Sequence, residues 1–213
     1  MDYKEVFLGA GSILRGSGAF IYFLIPEIWV AMPTYIPPEA YVLKSIGDYA
    51  WIMVGKTSML LIPAEKDIGN IGVKEKSFFE LKVKVDDRRH YKNVDEWIEK
   101  ERRKIEKSKS KELKEIGKIR ISGHEGAYII WLEYKKQFGI LGNTVCEAFL
   151  SCHFYCEETG REIFLIIQSK HPETVMLKRK DLLFLISSIG CHCKATENKI
   201  ENKILFLSKS EPW

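Results

Sequence analysis

Apolar positions in this chain follow two periods, and each period predicts a different element. Phe79, Leu81, Val83 and Val85 alternate with Glu80, Lys82, Lys84 and Asp86, which predicts a strand that is dry on one face and wet on the other. From Ile119 to Tyr134 two β-rich runs flank Gly123-His124-Glu125-Gly126, and that pattern predicts a hairpin turning through those four residues. Its second arm places Tyr128, Ile130, Leu132 and Tyr134 on one face and Ala127, Ile129 and Trp131 on the other. Both faces are apolar, so this arm is expected as a central strand covered from two sides. Thr144 to Cys156 and Arg161 to Ser169, separated by Glu157-Glu158-Thr159-Gly160, predict a second hairpin.

The helical period appears twice. Asn93 is placed to cap a helix and Glu96 to complete a capping box, while Val94, Trp97, Ile98 and Ile105 form the buried stripe. Glu96 with Lys100 and Glu99 with Arg103 are expected as i,i+4 pairs on the outer face, each contributing about 0.2–0.5 kcal/mol. Leu182, Leu185, Ile186 and Ile189 predict a helix over Asp181 to Ile189.

The remaining segments are less regular. Residues 1–39 are rich in glycine and proline and read as an irregular segment with one short strand at Phe20 to Ile25. Strands are expected at Tyr41 to Ile46, Tyr49 to Val54 and Ser58 to Ile62, with Pro63 ending the run. A loop containing Gly69 and Gly72 follows, Gly139 and Gly142 mark a further reversal, and Ile204 to Leu207 offers an edge strand within a C-terminal extension, 191–213. The turns are too short for βαβ crossovers. The predicted fold is therefore a single α+β domain, an antiparallel β-sheet flanked by helices as an α/β/α sandwich.

The order of amphipathic helix, Ile119-to-Tyr128 hairpin, the hairpin carrying Glu158-Thr159-Gly160-Arg161, and a closing helix ending Ile186-Ser187-Ser188-Ile189 resembles the PsbP-like fold superfamily. That superfamily takes in the extrinsic PsbP protein of photosystem II and a Ran-binding nuclear-import factor. The resemblance covers roughly residues 40–190. It implies binding or assembly and carries no catalytic residues onto this chain.

At 213 residues, 46% hydrophobic and 29% charged, the chain is expected to bury a substantial core. A net charge of +4 is too small to point to a polyanion partner. Abundant Lys, Glu and Ile suit a thermophile. The longest apolar run, Ala19 to Met32, is broken by Pro26 and Glu27, so no membrane span is expected. The start, Met1-Asp2-Tyr3-Lys4-Glu5, lacks the basic cluster of a signal peptide, and the expected compartment is the cytoplasm. Five cysteines, an odd number, argue against a secreted disulfide framework.

Candidate chemistry is sparse. Ala50-Trp51-Ile52-Met53-Val54-Gly55-Lys56-Thr57 satisfies a relaxed P-loop pattern, but Trp51 to Val54 prefer a strand, so a hairpin turn at Gly55-Lys56 is the expected structure. Gly9, Gly11, Gly16 and Gly18 come near to phosphate-binding fingerprints without completing one. Cys152 and Cys156 would lie about 13 Å apart along a strand and share a core face with Cys146, so buried, inert cysteine is the expectation and a disulfide to Cys191 or Cys193 the alternative. Cys191, His192 and Cys193 are the one compact cluster of metal-ligating types, and a metal- or thiol-dependent protein is the second functional reading. His124 and Glu125 are expected as turn polarity rather than an acid-base pair. The Lys/Arg-rich helix end offers a nucleic-acid face as the third reading, yet Glu99 to Glu115 holds eight basic and five acidic residues, the mark of a mixed, solvated surface. The leading expectation is a non-catalytic binding or assembly module with another protein as partner, no cofactor and no catalytic residue.

Overall fold

Ser122 and Gly123 alone make the reversal of the central hairpin. Both have positive φ, 49° and 84°, as the two central residues of a type I′ turn require, and glycine meets that demand without strain. His124 and Glu125, expected in the turn, instead open the second strand, paired with Ile121 and Arg120. The four-residue turn is thus corrected to two residues. Gly126 lies inside the strand, where a Cβ would stand 2.9 Å from the Ile121 side chain.

The computed structural model describes residues 2–12, 16–35, 41–46, 50–63, 78–136 and 144–192. Its elements are β1 (Tyr3–Ser12), β2 (Gly16–Pro26), β3 (Val30–Tyr35), β4 (Tyr41–Ile46), β5 (Ala50–Ile62), β6 (Phe79–Asp86), α1 (Val94–Glu106), β7 (Lys111–Ile121), β8 (His124–Lys136), β9 (Thr144–Cys156), β10 (Arg161–Ser169), α2 (Pro172–Leu177) and α3 (Arg179–Ser187). The strands form one sheet in the order β1-β2-β5-β6-β10-β9-β8-β7, with β3 and β4 also paired to β5. Every pairing among the described residues is antiparallel except a two-residue contact of β2 with β5, Gly18 to Trp51 and Ala19 to Ile52.

Strand alternation sorts side chains onto two faces. One face carries Phe79, Leu81, Val83 and Val85 of β6, Ile163, Leu165 and Ile167 of β10, and Tyr128 and Ile130 of β8. These pack against Leu182, Leu185 and Ile186 of α3 and against Leu8, Phe20 and Phe23 of the N-terminal strands. The other face presents Ala127 and Ile129 to Val94, Trp97 and Ile105 of α1. Helices therefore cover both sides of an antiparallel sheet, the α+β sandwich expected from the periodicities.

Asn93 caps α1 as its position predicts, accepting from the Glu96 amide at 2.9 Å. The Glu96 carboxylate accepts from the Lys92 amide at 2.8 Å, and Lys100 sits over the Tyr91 ring instead of pairing with Glu96. Glu99 does pair with Arg103, at 2.6 Å.

Two further expectations are corrected, and one element is added. Residues 1–39 are not irregular where described: β1 and β2 form a long hairpin whose apolar side chains, Phe20, Ile21, Phe23 and Ile25, enter the main core, and that burial outweighs the low strand preference of its glycines. The chain does not turn at Gly55-Lys56, because β5 continues through Gly55 with a φ of 133° that only glycine adopts readily, joining two expected strands into one. The P-loop-like octapeptide is thereby a strand. A short helix, Pro172–Leu177, precedes the closing one and starts on proline. The loop at Gly69 and Gly72, the reversal at Gly139 and Gly142, Cys193 and the run Ile204 to Leu207 lie outside the described residues. No helix among the described residues is long and apolar enough to cross a membrane.

Candidate metal centre

His124 and Cys156 each lie two positions beyond the paired Gly126 and Phe154 of β8 and β9, and a period of two puts both side chains on the same face of the sheet. The segment after α3 crosses that end of the sheet and delivers Cys191 and His192 to it. The ligand atoms of His124, Cys156, Cys191 and His192 all lie within 4.8 Å of one another. His124 Nε2 is 3.4 Å from His192 Nδ1, Cys156 Sγ is 3.5 Å from the same nitrogen, and Cys191 Sγ is 3.2 Å from it.

These separations can be set against coordination geometry. Zinc bonds of about 2.3 Å to sulfur and about 2.0–2.1 Å to nitrogen, at tetrahedral angles, place two nitrogens about 3.4 Å apart and a nitrogen and sulfur about 3.6 Å apart. The three measured spacings lie within about 0.4 Å of those values. The donor set, two thiols and two imidazoles, suits zinc or another thiophilic ion and is poorly matched to calcium or magnesium.

Electrostatics favour thiolate at this position. The Cys191 thiol hydrogen-bonds to Cys156 and pulls the Cys156 thiol down to about 4, while sharing that proton and burial push Cys191 up. Arg161, opposite Cys156 in the β9–β10 ladder, is 1% exposed. Burial lowers its guanidinium to about 10, against which the single negative charge shared by the Cys191–Cys156 pair works to keep it protonated. Its Nε donates to Thr159 Oγ1 at 3.1 Å, one Nη to the Phe20 carbonyl at 3.2 Å and the other to the Cys191 carbonyl. A buried cation thus sits beside the sulfurs and fixes the loop that carries one of them.

Carboxylates line the solvent side. Glu157 Oε2 lies 3.7 Å from His124 Nδ1, the ring nitrogen facing away from the other three ligands. A ligating imidazole ordinarily hydrogen-bonds a carboxylate through its second nitrogen, and Glu157 stands just beyond that distance. Glu158 Oε2 is 3.0 Å from His124 Nε2 and 3.9 Å from His192 Nδ1, and its own amide, then the two imidazoles, holds its carboxyl below the usual range. Glu158 therefore competes with any bound ion for the His124 nitrogen from an exposed position.

Of the residues singled out in the sequence, Cys191 and His192 are in this cluster and Cys193 lies outside the described residues. Cys156 and His124 join them, neither predicted as a ligand. Cys152 is a buried core thiol pushed up by desolvation, as expected, and Cys146, Cys152, Cys156 and Cys191 are all free. His124 and Glu125 part company: the first is buried at the centre, the second is exposed and meets Lys118 at 3.1 Å. On α1 Arg102 and Arg103 both contact Glu99, and Lys104 pairs with Glu101.

A second buried group lies beneath α1. Glu162 joins His153 Nε2 at 2.8 Å to His90 Nδ1 at 2.8 Å and accepts from the His90 and Tyr91 amides. His153 stacks on Trp97 with ring centroids 5.4 Å apart. His153 and Glu162 are enclosed, and Glu162 ties the His90 and Tyr91 amides to the sheet.

Fold and cluster together define the class: an α+β protein with an antiparallel sheet and a four-residue Cys/His constellation at one end of it. In structure the chain is similar to cyanobacterial PsbP (CyanoP) from Synechocystis sp. PCC 6803, in solution, with a TM-score of 0.44 and 11% identity over 89% of this chain and 92% of that one. The likeness concerns fold alone. No protein-family model matches the sequence, and no curated protein matches it.

Proposed function

We propose that this chain is a metal-binding, non-catalytic module in which His124, Cys156, Cys191 and His192 hold one zinc or similarly thiophilic ion. The observation that carries the reading is the spacing of the four ligand atoms, which are drawn from three separate parts of the chain to within 4.8 Å of one another. Four protein ligands leave no open position for a substrate, and closed sites of this kind serve folding and binding rather than turnover. Another protein is the proposed partner, and the proposed compartment is the reducing cytoplasm, where such thiols remain available as ligands.

The test is metal analysis of the purified full chain with zinc titration and cobalt substitution. One ion per chain is expected, cobalt should show the absorption of a tetrahedral site with thiolate ligands, and Cys156→Ser or His124→Ala should lower the stoichiometry. A folded protein that takes up no zinc or cobalt, with Cys156 and Cys191 open to thiol reagents in its presence, would overturn the proposal.

A further inference from the structure

Residues 188–192 run between two structures and bind both. Ser188 Oγ accepts from the Leu24 amide at 2.8 Å, and Gly190 exchanges both backbone hydrogen bonds with Tyr22, at 2.9 and 2.8 Å. The Ile189 carbonyl accepts from Ser122 Oγ at 2.5 Å, on the turn that leads into His124. Cys191 and His192 then give their side chains to the metal cluster while the Cys191 carbonyl is held by Arg161, whose other Nη reaches the Phe20 carbonyl of β2. This strap is thus tied by its backbone and Ser188 to β2 and by its last two side chains to the metal ligands.

The tie matters because, among the described residues, β2 has little other main-chain support outside its own hairpin. Its pairing with β5 spans two residues, Gly18 with Trp51 and Ala19 with Ile52. Packing of Phe20, Phe23 and Ile25 against α3 is non-directional and sets no register. The strap's bonds at Tyr22 and Leu24 therefore help fix the hairpin's position against the rest of the fold.

We infer that occupancy of the metal centre controls how firmly the β1–β2 hairpin is docked: the ion immobilises Cys191 and His192, the immobilised strap holds Tyr22 and Leu24, and metal loss loosens the hairpin while the sheet from β6 to β7 stays folded. The inference rests on the metal centre proposed above. Linkage makes it reciprocal, so weakening the strap's hold on β2 weakens metal binding by the same factor.

Hydrogen exchange of the full chain, read amide by amide with zinc chloride and with EDTA, tests it. Zinc should slow exchange of the Tyr22, Leu24 and Gly190 amides by about tenfold or more, with β9 and β10 amides changing much less. Ser188→Ala, which removes no ligand, should weaken zinc binding severalfold. Stoichiometric zinc uptake with Tyr22 and Leu24 exchange unchanged would overturn the coupling and leave the metal centre standing. Failure to take up zinc at all would remove both, and an unchanged zinc affinity in Ser188→Ala would contradict the reciprocity.

Discussion

Cys156 Sγ and His192 Nδ1 stand 3.5 Å apart although 36 positions separate the residues in the chain. One ends β9, the other follows α3, and the two meet because α3 packs across the sheet and releases the chain at the end where β9 stops. The contact makes the two neighbouring cysteines of β9 chemically unlike. Cys152→Ala should leave zinc stoichiometry intact and lower stability by packing loss alone, whereas Cys156→Ser should abolish stoichiometric binding and remove the zinc-dependent rise in melting temperature. Metal analysis and thermal melts with and without EDTA, compared between the two variants, check this.

Glu115, midway along β7, is shared by two partners. Tyr128 Oη donates to its Oε1 at 2.6 Å, and Arg179 of α3 approaches both carboxylate oxygens, one through Nε at 2.5 Å. Burial, then the Glu115 contact, keeps the phenol protonated far above neutral pH. Glu115→Ala removes the acceptor of a buried hydroxyl and the carboxylate that Arg179 meets, so a loss of about 1–3 kcal/mol is expected in urea unfolding. A variant as stable as the parent would show that the triad contributes nothing net.

Gly117 faces the same tyrosine. A Cβ there would lie 2.5 Å from the Tyr128 ring, and that ring is enclosed by the core and held at its hydroxyl, so it has nowhere to move cheaply. Gly117→Ala is expected to cost about 1–3 kcal/mol by overpacking, although alanine is ordinarily tolerated better than glycine in a strand. Chemical denaturation of the variant, alone and combined with Tyr128→Phe, measures it.

The buried His153–Glu162 pair gives the fold a sensitivity to acid. Burial lowers the His153 imidazole from its ordinary value of 6.5, Nε2 engages Glu162, and Nδ1 is buried with no hydrogen-bond partner to receive a proton. Burial works to raise Glu162, but the His90 amide, His153 and the His90 ring outweigh it and lower the carboxyl. In both cases the unfolded chain binds the proton more readily. The stability due to His153 is therefore complete above about pH 6.5 and drains as pH falls toward its depressed folded value, at up to about 1.4 kcal/mol per pH unit for one proton. The Glu162 contribution is lost at lower pH, from about 4.3 downward. Urea midpoints at pH 7, 6 and 5 should fall in that order, with a shallower slope in His153→Gln; an equal slope would assign the sensitivity elsewhere.

Much of the architecture is legible in local pattern. The alternation at Phe79 to Asp86, the two-faced apolar arm at Ala127 to Tyr134, the Asn93 cap and the Leu182-to-Ile186 stripe each report a period that backbone geometry imposes on any buried strand or helix. Where a period is short or masked by glycine the pattern fails. The β1–β2 hairpin was hidden by its glycines, and Pro172–Leu177 is too brief to repeat.

The site divides along the same line. Residue types and spacing identify Cys191 and His192 as ligand material, since adjacent positions stay together in any fold. They also exclude an ion shared by Cys152 and Cys156, because a strand holds such positions rigidly apart. The partners of Cys191 and His192 are set by the β8–β9 register and by where α3 ends, and both follow from burial of side chains far from the Cys/His cluster. A short local pattern determines which atoms are able to bind; only packing across the whole sheet decides which of them meet.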